Sequence, residues 1–398
     1  MASLCKNCGG NLAFSPKRQA LFCNKCGATF KPEDITAEAK ELLADVEAPK
    51  ASDIYGSRGS YDCSIYSCTQ CGGDIVINDT EASTICVYCG SPAVVFNRVA
   101  KEIRPDGIIP FSVTKDLAQM LIKTHLKKGK FIPSEIKNAP LDDIKGIYIP
   151  YWIVDCDFHD AVMVKGDVQE GKHKRTTYFA QAGEWTYQNL PCNASLRFND
   201  NIGKKLEPFD YNEARDFDED YLTGFYSDIT DMSPANLRSA VLKRGDDMYR
   251  EEVIHGLVNA TKKSVVNSSP SVRIKEGEEV YLMIPAWFYT FRYKGMPHTI
   301  LVNGQTGKTV GAMPFDRAKL IALTVAIFIA LVFAGLLIFF GPIILLSYLF
   351  SPYIVSGFII AGLTLGGSAL RRLKQIRSNM NDTRSGSTFM FAKERQES

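Results

Sequence analysis

The chain has 398 residues, of which 45% are hydrophobic and 23% are charged, and its net charge is +2. This length allows two or three compact units. The near-neutral charge excludes a global basic field, so any surface for nucleic acid has to be local. Eight of the eleven cysteines fall into CxxC pairs, a pattern that indicates metal binding in a reducing compartment rather than a secreted disulfide framework. The first thirty residues contain no long apolar stretch and therefore predict no signal peptide.

Two CxxC pairs open the chain, and two further pairs repeat their spacing. Fourteen residues separate the inner cysteines of each set, and CKNCGGNL resembles CTQCGGDI, so the sets are copies of one module. Four thiolates complete the tetrahedral shell of a structural zinc ion and leave no open position for a substrate. Iron or disulfides are the alternatives. The sequence predicts two structural Zn²⁺ ions, held by Cys5, Cys8, Cys23 and Cys26 in the first ribbon and by Cys68, Cys71, Cys86 and Cys89 in the second.

The two ribbons differ in charge. Residues 1–31 carry no acid and five bases, which are Lys6, Lys17, Arg18, Lys25 and Lys31. Between its first and last cysteine the second ribbon carries no base and three acids, which are Asp74, Asp79 and Glu81. Because nucleic acid requires cations on the contact face, only the first ribbon is a candidate for binding it. The other interpretation of this ribbon is a small docking surface for another protein.

The remaining chain divides by composition. ITAEAKELLADVEA predicts a short acidic helix, and the Gly- and Ser-rich stretch PKASDIYGSRGSYDCS predicts a flexible linker that contains Cys63. The predicted units are the first ribbon (1–30), the helix and linker (31–62), the second ribbon (63–99), an α+β domain (100–316), a transmembrane hairpin (317–372) and a basic tail (373–398).

The C-terminal part has the character of a membrane hairpin. Residues 320–370 carry no charged side chain, and this length suits two spans of about 20 residues each, at about 320–340 and 352–370. Basic residues flank both outer ends and are missing from the turn; they are Arg317, Lys319, Arg371, Arg372, Lys374 and Arg377. The positive-inside rule then places both termini in the cytoplasm of a multi-pass protein of the bacterial cytoplasmic membrane. A buried hairpin in a soluble core is the alternative.

The segment before these spans mixes two periodicities. TKDLAQMLIKTHLKKG predicts an amphipathic helix with Leu117, Leu121 and Leu126 on its apolar face, and a longer helix begins near Ser233-Pro234. Strands are predicted at GIYIPYWIVDCDF, TTYFAQAGEWTYQNL, EVYLMIPAWFYTFRYKG and TILVNG. The resemblance between IPYWI and IPAWF indicates a duplicated β element, and the core is predicted to contain Trp152, Trp185 and Trp287. The fold class is multidomain: two small four-cysteine zinc ribbons, a central α+β domain and a C-terminal two-helix transmembrane hairpin.

No motif predicts an enzyme. VNGQTGKTVG resembles a phosphate loop, but Val302 stands where the loop requires glycine, and Asn303-Gly304 instead predicts a hairpin turn. His159-Asp160 is interpreted as a surface pair. An acidic run is interpreted as a solvated loop, and it comprises Asp216, Asp218, Glu219 and Asp220. Two isolated thiols are predicted to be buried; they are Cys156 and Cys192.

Six segments follow one another over about residues 65–320, namely IIPFSVTKDLAQ, FIPSEIKNAPLDDIKGIYIPYWIVD, LPCNASLRF, EPFDYNEARDFDEDYLTGFYSD, IPAWFYTFRYKG and VNGQTGKTVGAMP. In this order they resemble a family of bacterial membrane proteins with a transcription-factor-IIB-type zinc ribbon. The resemblance implies a non-enzymatic membrane component whose candidate partners are phage-shock-type envelope-stress proteins and flotillin-like scaffolds. Many relatives carry a primosomal-helicase label, which the missing phosphate loop contradicts here. The extra N-terminal ribbon departs from the family's single-ribbon arrangement.

The sequence therefore favours a membrane-anchored docking platform for cytoplasmic proteins, with no small-molecule substrate. Its bases near the bilayer would also engage anionic lipid. Three alternatives stay open: a membrane-tethered nucleic-acid binder that uses the first ribbon, an enzyme with a polar pocket within 100–316, and a membrane sensor of zinc or thiol state.

Overall fold

The computed structural model describes residues 5–8, 10–32, 59–70, 72–77, 86, 94–128, 132–141, 144–170, 173–195, 198, 200–232, 234–257, 260–275, 279–294, 296–311, 313, 314 and 316. The predicted acidic helix, the transmembrane hairpin and the basic tail lie outside these residues. Within the described ranges, no helix combines the length and apolar character that a membrane crossing requires.

Two sheets account for the strands of the described chain. The N-terminal sheet is antiparallel in the order β1-β2-β3, and its strands are β1 (Leu12–Ser15), β2 (Ala20–Cys23) and β3 (Thr29–Phe30). The second sheet is mixed and has thirteen strands, which are β4 (Ser60–Cys68), β5 (Asp74–Ile77), β6 (Val94–Ile103), β7 (Gly107–Ile108), β8 (Lys145–Glu170), β9 (His173–Asn193), β10 (Arg215–Asp216), β11 (Tyr226–Ser227), β12 (Thr261–Asn267), β13 (Ser271–Ile274), β14 (Val280–Tyr293), β15 (Met296–Asn303) and β16 (Thr309–Val310).

Few helices accompany the large sheet. They are α1 (Lys115–Lys128), α2 (Ser134–Lys137), α3 (Asp200–Leu206) and α4 (Pro234–Glu252), with short 3-10 turns at Tyr211–Glu213 and Glu219–Leu222 and a π-helical turn at Val253–Leu257. The architecture is therefore a large mixed β-sheet domain with an N-terminal four-cysteine module.

The central strand of the large sheet is β8. The main strand order is β10-β7-β14-β8-β11-β5-β4-β6, and β9, β12 and β13 also pair with β8. β11 runs parallel to β8, and β7 runs parallel to β14, whereas the other pairs are antiparallel. Alternate β8 residues are buried on opposite faces, with Tyr148 and Trp152 in one apolar cluster and Ile147, Ile149 and Ile153 in the other. Because both faces of β8 are covered in this part of the sheet, its residues there form a continuous apolar run in the sequence.

The two similar pentapeptides pair with each other. IPYWI lies in β8 and IPAWF lies in β14, and these antiparallel strands place Ile149 opposite Ile284. Trp152 and Trp287 are 0% and 5% exposed, which confirms their prediction as core residues. Trp185 is partly buried against the same core.

Helix α1 is where the sequence predicted it, but its buried face is different. Ala118, Ile122 and Leu126 are buried, whereas Leu117 is exposed. The assignment of Leu117 to the apolar face was wrong, because the buried side chains recur every four residues from Ala118 to Leu126 and leave Leu117 outside this face. Leu121 lies at the border and packs beside the position of Gly307.

The stretch that resembles a phosphate loop is a hairpin, as predicted. β15 and β16 pair antiparallel, with Val302 opposite Thr309. The amides of Gln305 and Thr306 donate to Asn303 Oδ1, both at 2.9 Å, so this side chain organises the turn. The connecting loop spans residues 304–308 and is longer than the two-residue turn that the sequence suggested.

The strands of the second ribbon belong to the large sheet. β4 pairs with both β5 and β6, and β5 pairs with β11 of the central domain. β4 already begins at Ser60 and buries Tyr61 and Cys63, in the stretch that the sequence interpreted as a flexible linker. Tyr61, Cys63 and Ile65 alternate through this strand. The linker prediction relied on the Gly- and Ser-rich composition before them and missed this signal.

Candidate metal centre

The first ribbon places its four cysteines at the ends of short hairpins. Cys5 and Cys8 precede β1, Cys23 ends β2, and Cys26 lies in the turn to β3. The Cys23 amide donates to the Ala28 carbonyl oxygen at 2.9 Å, and the Gly27 amide donates to the Cys23 carbonyl oxygen at 2.9 Å. This tight knuckle requires a positive φ of 76° at Gly27, a conformation that glycine adopts without steric cost.

The sulfur atoms of Cys5, Cys8, Cys23 and Cys26 converge, and all four lie within 4.8 Å of one another. The Sγ atoms of Cys5 and Cys26 are 3.5 Å apart, as are those of Cys8 and Cys23. A tetrahedral zinc ion with Zn–S bonds of about 2.3 Å requires S–S separations of about 3.8 Å. The cluster therefore fits a metal ion such as zinc, as the sequence predicted for these four residues.

The thiols of this cluster differ in acidity. The pKa of Cys23 is lowered to about 6, mainly because the backbone amide of Cys26 donates a hydrogen bond to it. The Ala28 amide also lowers the pKa of Cys26, but sharing of protons with Cys8 and Cys5 outweighs this and raises it to about 12. The Cys26 amide thus favours the thiolate of Cys23, whereas metal binding has to displace the proton of Cys26.

Only half of the second predicted ligand set lies in the described chain. Cys71 and Cys89 fall outside it, whereas Cys68 and Cys86 are both 1% exposed and belong to one apolar cluster. The backbone at Cys68 repeats that at Cys5, its counterpart in the sequence repeat: the Cys68 amide donates to the Gly73 carbonyl oxygen at 2.9 Å, and the Cys5 amide donates to the Gly10 carbonyl oxygen at 2.7 Å. The Gly72 amide also donates to the Cys68 carbonyl oxygen at 2.7 Å. Gly72 has a φ of 69°. The repeat seen in the sequence is therefore also a repeat of local geometry.

The first ribbon packs on the large sheet domain. The amide of Phe14 donates to the Thr223 carbonyl oxygen at 3.2 Å, and the Phe14 ring lies 4.9 Å from that of Tyr221. Gln19 Nε2 donates to the Phe111 carbonyl oxygen at 2.7 Å. Leu12, Phe14 and Leu21 share the apolar cluster of the domain, which also contains Cys5 and Cys23. The sequence gave no indication of this contact, since its partners lie about 90 to 210 residues further along.

The outer surface of this ribbon is cationic. All five of its basic residues are exposed, namely Lys6, Lys17, Arg18, Lys25 and Lys31. Arg18 lies over the Phe22 ring, 3.9 Å from its centroid, at the turn between β1 and β2. The ribbon thus presents apolar residues to its own domain and positive charge to the solvent.

The chain is similar to a protein of known sequence. No protein-family model and no solved structure matches the chain. A protein of Bacillus subtilis (strain 168), described as uncharacterized protein YdjG, is 28% identical to it over 333 residues, which cover 80% of this chain and 91% of that protein. The similarity thus includes most of both chains, and function has to be argued from the residues themselves.

A polar cleft lies beside α3 and α4 that the sequence did not indicate. It is open to solvent and is lined in part by Tyr151, Cys192, Asp200, Lys204, Glu207 and Arg244. Arg244 Nη2 lies 2.5 Å from Glu207 Oε2, and Lys204 Nζ lies 2.5 Å from Asp247 Oδ2. Burial raises the pKa of Glu207, although the Arg244 guanidinium opposes this shift. The charged groups of the cleft are thus engaged with one another, which favours a structural role.

The acidic run after β10 is not a simple solvated loop, contrary to the prediction. Asp220 is 6% exposed, and its amide donates to Asp218 Oδ1 at 2.9 Å. This bond begins the 3-10 turn that buries Tyr221 and Leu222, so the acids position core residues. Burial raises the pKa of Glu219, whose carboxylate lies 3.8 Å from Arg104.

The prediction of His159-Asp160 as a surface pair was wrong for Asp160. Asp160 is 4% exposed, and its Oδ1 accepts a hydrogen bond from the Ser269 amide at 2.7 Å. His159 does lie at the surface, where its Nε2 is 3.6 Å from Glu184 Oε1. Adjacent strand residues point to opposite faces, which separates the two side chains.

The isolated thiols are buried, as predicted. Cys156 and Cys192 are 0% and 3% exposed. Desolvation by burial raises the pKa of Cys156 to about 11 and that of Cys192 to about 12. Desolvation by burial also raises the pKa of Cys63, to about 12. These thiols stay protonated at neutral pH and are therefore weak nucleophiles.

Proposed function

We propose that this chain is a non-enzymatic membrane-anchored protein whose two zinc ribbons and sheet domain form a docking platform for protein partners. It acts on the cytoplasmic side of a bacterial membrane, within an envelope-stress complex. The 51-residue uncharged segment 320–370 and its flanking bases support the anchor and its orientation. Candidate partners remain those implied by the family resemblance, namely phage-shock-type and flotillin-like scaffold proteins.

The main support for a docking role is the position of the first ribbon. Four protein thiolates complete its tetrahedral shell, so a bound zinc ion has no position left for a substrate. The apolar face of the ribbon is occupied by its own domain through Phe14 and Tyr221. Its cationic face is exposed, and a surface of this kind suits acidic partners. Anionic lipid headgroups would attract the same bases, at about 1 kcal/mol per charge near the bilayer.

The proposal is tested by purifying tagged full-length protein from its own membranes in a gentle detergent, with half of the sample treated with nuclease. We expect the chain to need detergent for extraction and to retain the same co-purifying proteins after nuclease treatment. Recovery in the soluble fraction would contradict the anchor. Loss of the partners after nuclease treatment, with nucleic acid in the untreated sample, would contradict protein docking.

The second candidate is a membrane-tethered nucleic-acid binder, and it rests on the exposed cations of the first ribbon. If this function holds, replacing both Lys17 and Arg18 with glutamate weakens DNA binding on the order of tenfold or more and flattens its dependence on salt. Fluorescence anisotropy with a labelled duplex at several salt concentrations measures both quantities. The matched control replaces the exposed Lys127 and Lys128 of α1 with glutamate, which changes the net charge equally at a different surface. Equal effects of the two variants would remove this candidate.

A further inference from the structure

The longest exposed strand edge of the described chain belongs to β9. This strand pairs with β8 along one side from His173 to Asn193, and no other strand of the described ranges pairs with it. Its 21 residues compare with a usual strand length of about five or six. A long edge of unpaired backbone groups is a template for a further strand, and natural proteins protect such edges unless they use them.

The other long edge of the sheet is protected. β6 pairs only with β4 in the described chain, and the pairing contains a bulge between Ile65 and Tyr66. Exposed Arg98 also lies in the middle of β6, and exposed Lys101 lies three residues further along the strand. Bulges and central cations are two of the devices by which natural sheets prevent strand addition. No bulge interrupts the register of β9 between His173 and Tyr187.

We propose that two copies of this chain pair antiparallel through their β9 edges, about a twofold axis at Phe179, to form one continuous sheet. An axis perpendicular to the sheet keeps each face on its own side and places residue 174 opposite residue 184 of the other copy. Lys174 then faces Glu184 in both halves of the pair. Both side chains are exposed in the single chain, so the pairing adds two symmetric cross-strand ion pairs.

The same register matches large residues with small ones on the open face of the sheet. Tyr178 is 58% exposed and comes opposite Ala180 of the other copy. Thr176 comes opposite Ala182. Met163 of β8 is 41% exposed and extends this face. Cross-strand pairs of an aromatic and a small residue leave room for the ring without a clash.

The opposite face is compatible with this register as well. Phe179 meets its own copy at the axis, and aromatic pairs favour sheet association. Arg175 comes opposite Gly183. The Trp185 ring occupies the space that a side chain at Gly183 would fill, since an ideal Cβ there would lie 2.2 Å from this ring. The guanidinium of one copy therefore reaches an indole of the other, a favourable cation–π arrangement.

Neighbouring registers lose these matches. An axis at Ala180 places Glu184 opposite Thr176, and an axis at Tyr178 places Lys174 opposite Ala182. In both cases Lys174 and Glu184 no longer face each other across the interface, and Glu184 keeps only His159 among the described residues of its own chain. The sequence of β9 thus specifies the axis at Phe179, and the pairing does not depend on the proposed docking function.

A charge exchange in full-length protein tests the interface. Its mass in detergent is measured by sedimentation or light scattering after subtraction of the detergent. We expect a dimer for the native chain, and a dissociation constant raised about tenfold or more in Lys174→Glu, where two attractions become repulsions. The double variant Lys174→Glu with Glu184→Lys restores the pairs and is expected to dimerise like the native chain. A native monomer, or a single variant with native affinity, or a double variant as weak as the single one, would each overturn the proposal.

Cysteine cross-linking tests the register. In Ala180→Cys, the two introduced thiols are diagonal neighbours about 7–8 Å apart, within reach of a short bismaleimide. In Ala182→Cys, six residues along the strands separate them, which is about 20 Å. We expect a cross-linked dimer for Ala180→Cys above the background of the native cysteines, and background alone for Ala182→Cys. Equal yields from the two variants would contradict an axis at Phe179.

Discussion

Replacing Cys23 with serine is expected to remove the metal ion from the first ribbon. Cys23 is 0% exposed, and its sulfur lies 3.5 Å from that of Cys8 inside the cluster. A serine hydroxyl stays protonated at neutral pH and is a poor replacement for a thiolate, while structural zinc contributes roughly 10–16 kcal/mol to modules of this kind. The zinc content of the purified full-length chain, measured by elemental analysis, should fall by one ion per chain.

The consequence should extend beyond the metal. Because Cys5 and Cys23 share an apolar cluster with Leu12 and Phe14, the ribbon is expected to detach from Tyr221 when its shell opens. Limited proteolysis should then cleave the N-terminal region much faster than in the native chain. The control is Cys63→Ala, which removes a buried thiol of β4 outside the four-cysteine cluster and should leave the zinc content unchanged. Unchanged zinc in Cys23→Ser, or equal loss in both variants, would contradict the assignment.

Replacing Phe111 with alanine is expected to lower the free energy of unfolding by about 3–5 kcal/mol. Its ring is 0% exposed and stacks on Phe225 at 4.3 Å between centroids, with Tyr148 and Trp287 at 5.1 and 4.9 Å. Truncation therefore opens a cavity among rigid rings that cannot collapse into it. Urea titration followed by tryptophan fluorescence measures the loss, because Trp287 lies at the site.

The matched control for this cavity is Phe96→Ala in β6. The Phe96 side chain is 56% exposed, so its removal should change the free energy of unfolding by no more than about 0.5 kcal/mol. The backbone of Phe111 accepts the hydrogen bond from Gln19, and alanine keeps that acceptor. Similar losses in the two variants would show that the ring of Phe111 is not part of the core.

The cysteine spacing predicted the four ligands of the first ribbon because the chemistry is local. Two knuckles and the short strands between them bring the thiols together within 22 residues, from Cys5 to Cys26. The glycine after the second knuckle supplies the positive φ that closes it. The strands of the central domain were found for a similar reason, since their runs of aromatic and β-branched residues are long. The buried face of α1 was misjudged because hydrophobicity favours the large Leu117 over the small Ala118, whereas the helix buries Ala118 and exposes Leu117.

Long-range contacts had no signature in the sequence. Nothing in the residues around Phe14 and Gln19 shows that they meet Tyr221 and Phe111, and nothing around Tyr61 shows that β4 joins the sheet of the central domain. Asp160 and Asp220 resembled surface acids in the sequence. The burial of Asp160 accompanies its hydrogen bond with the distant Ser269 amide. The burial of Asp220 depends on the 3-10 turn, in which its amide donates to Asp218.

By itself the sequence determined the four-cysteine cluster of the first ribbon, the repeat of that module, the central strands and the absence of a phosphate loop at Gly307-Lys308. These features depend on residue types at short separations, where covalent spacing fixes the geometry. Only the tertiary structure decided that the first ribbon packs on the sheet domain, that the strands of the second ribbon extend the same sheet, and that β9 presents an open edge. Burial and strand order arise from packing between distant segments, which local sequence does not encode.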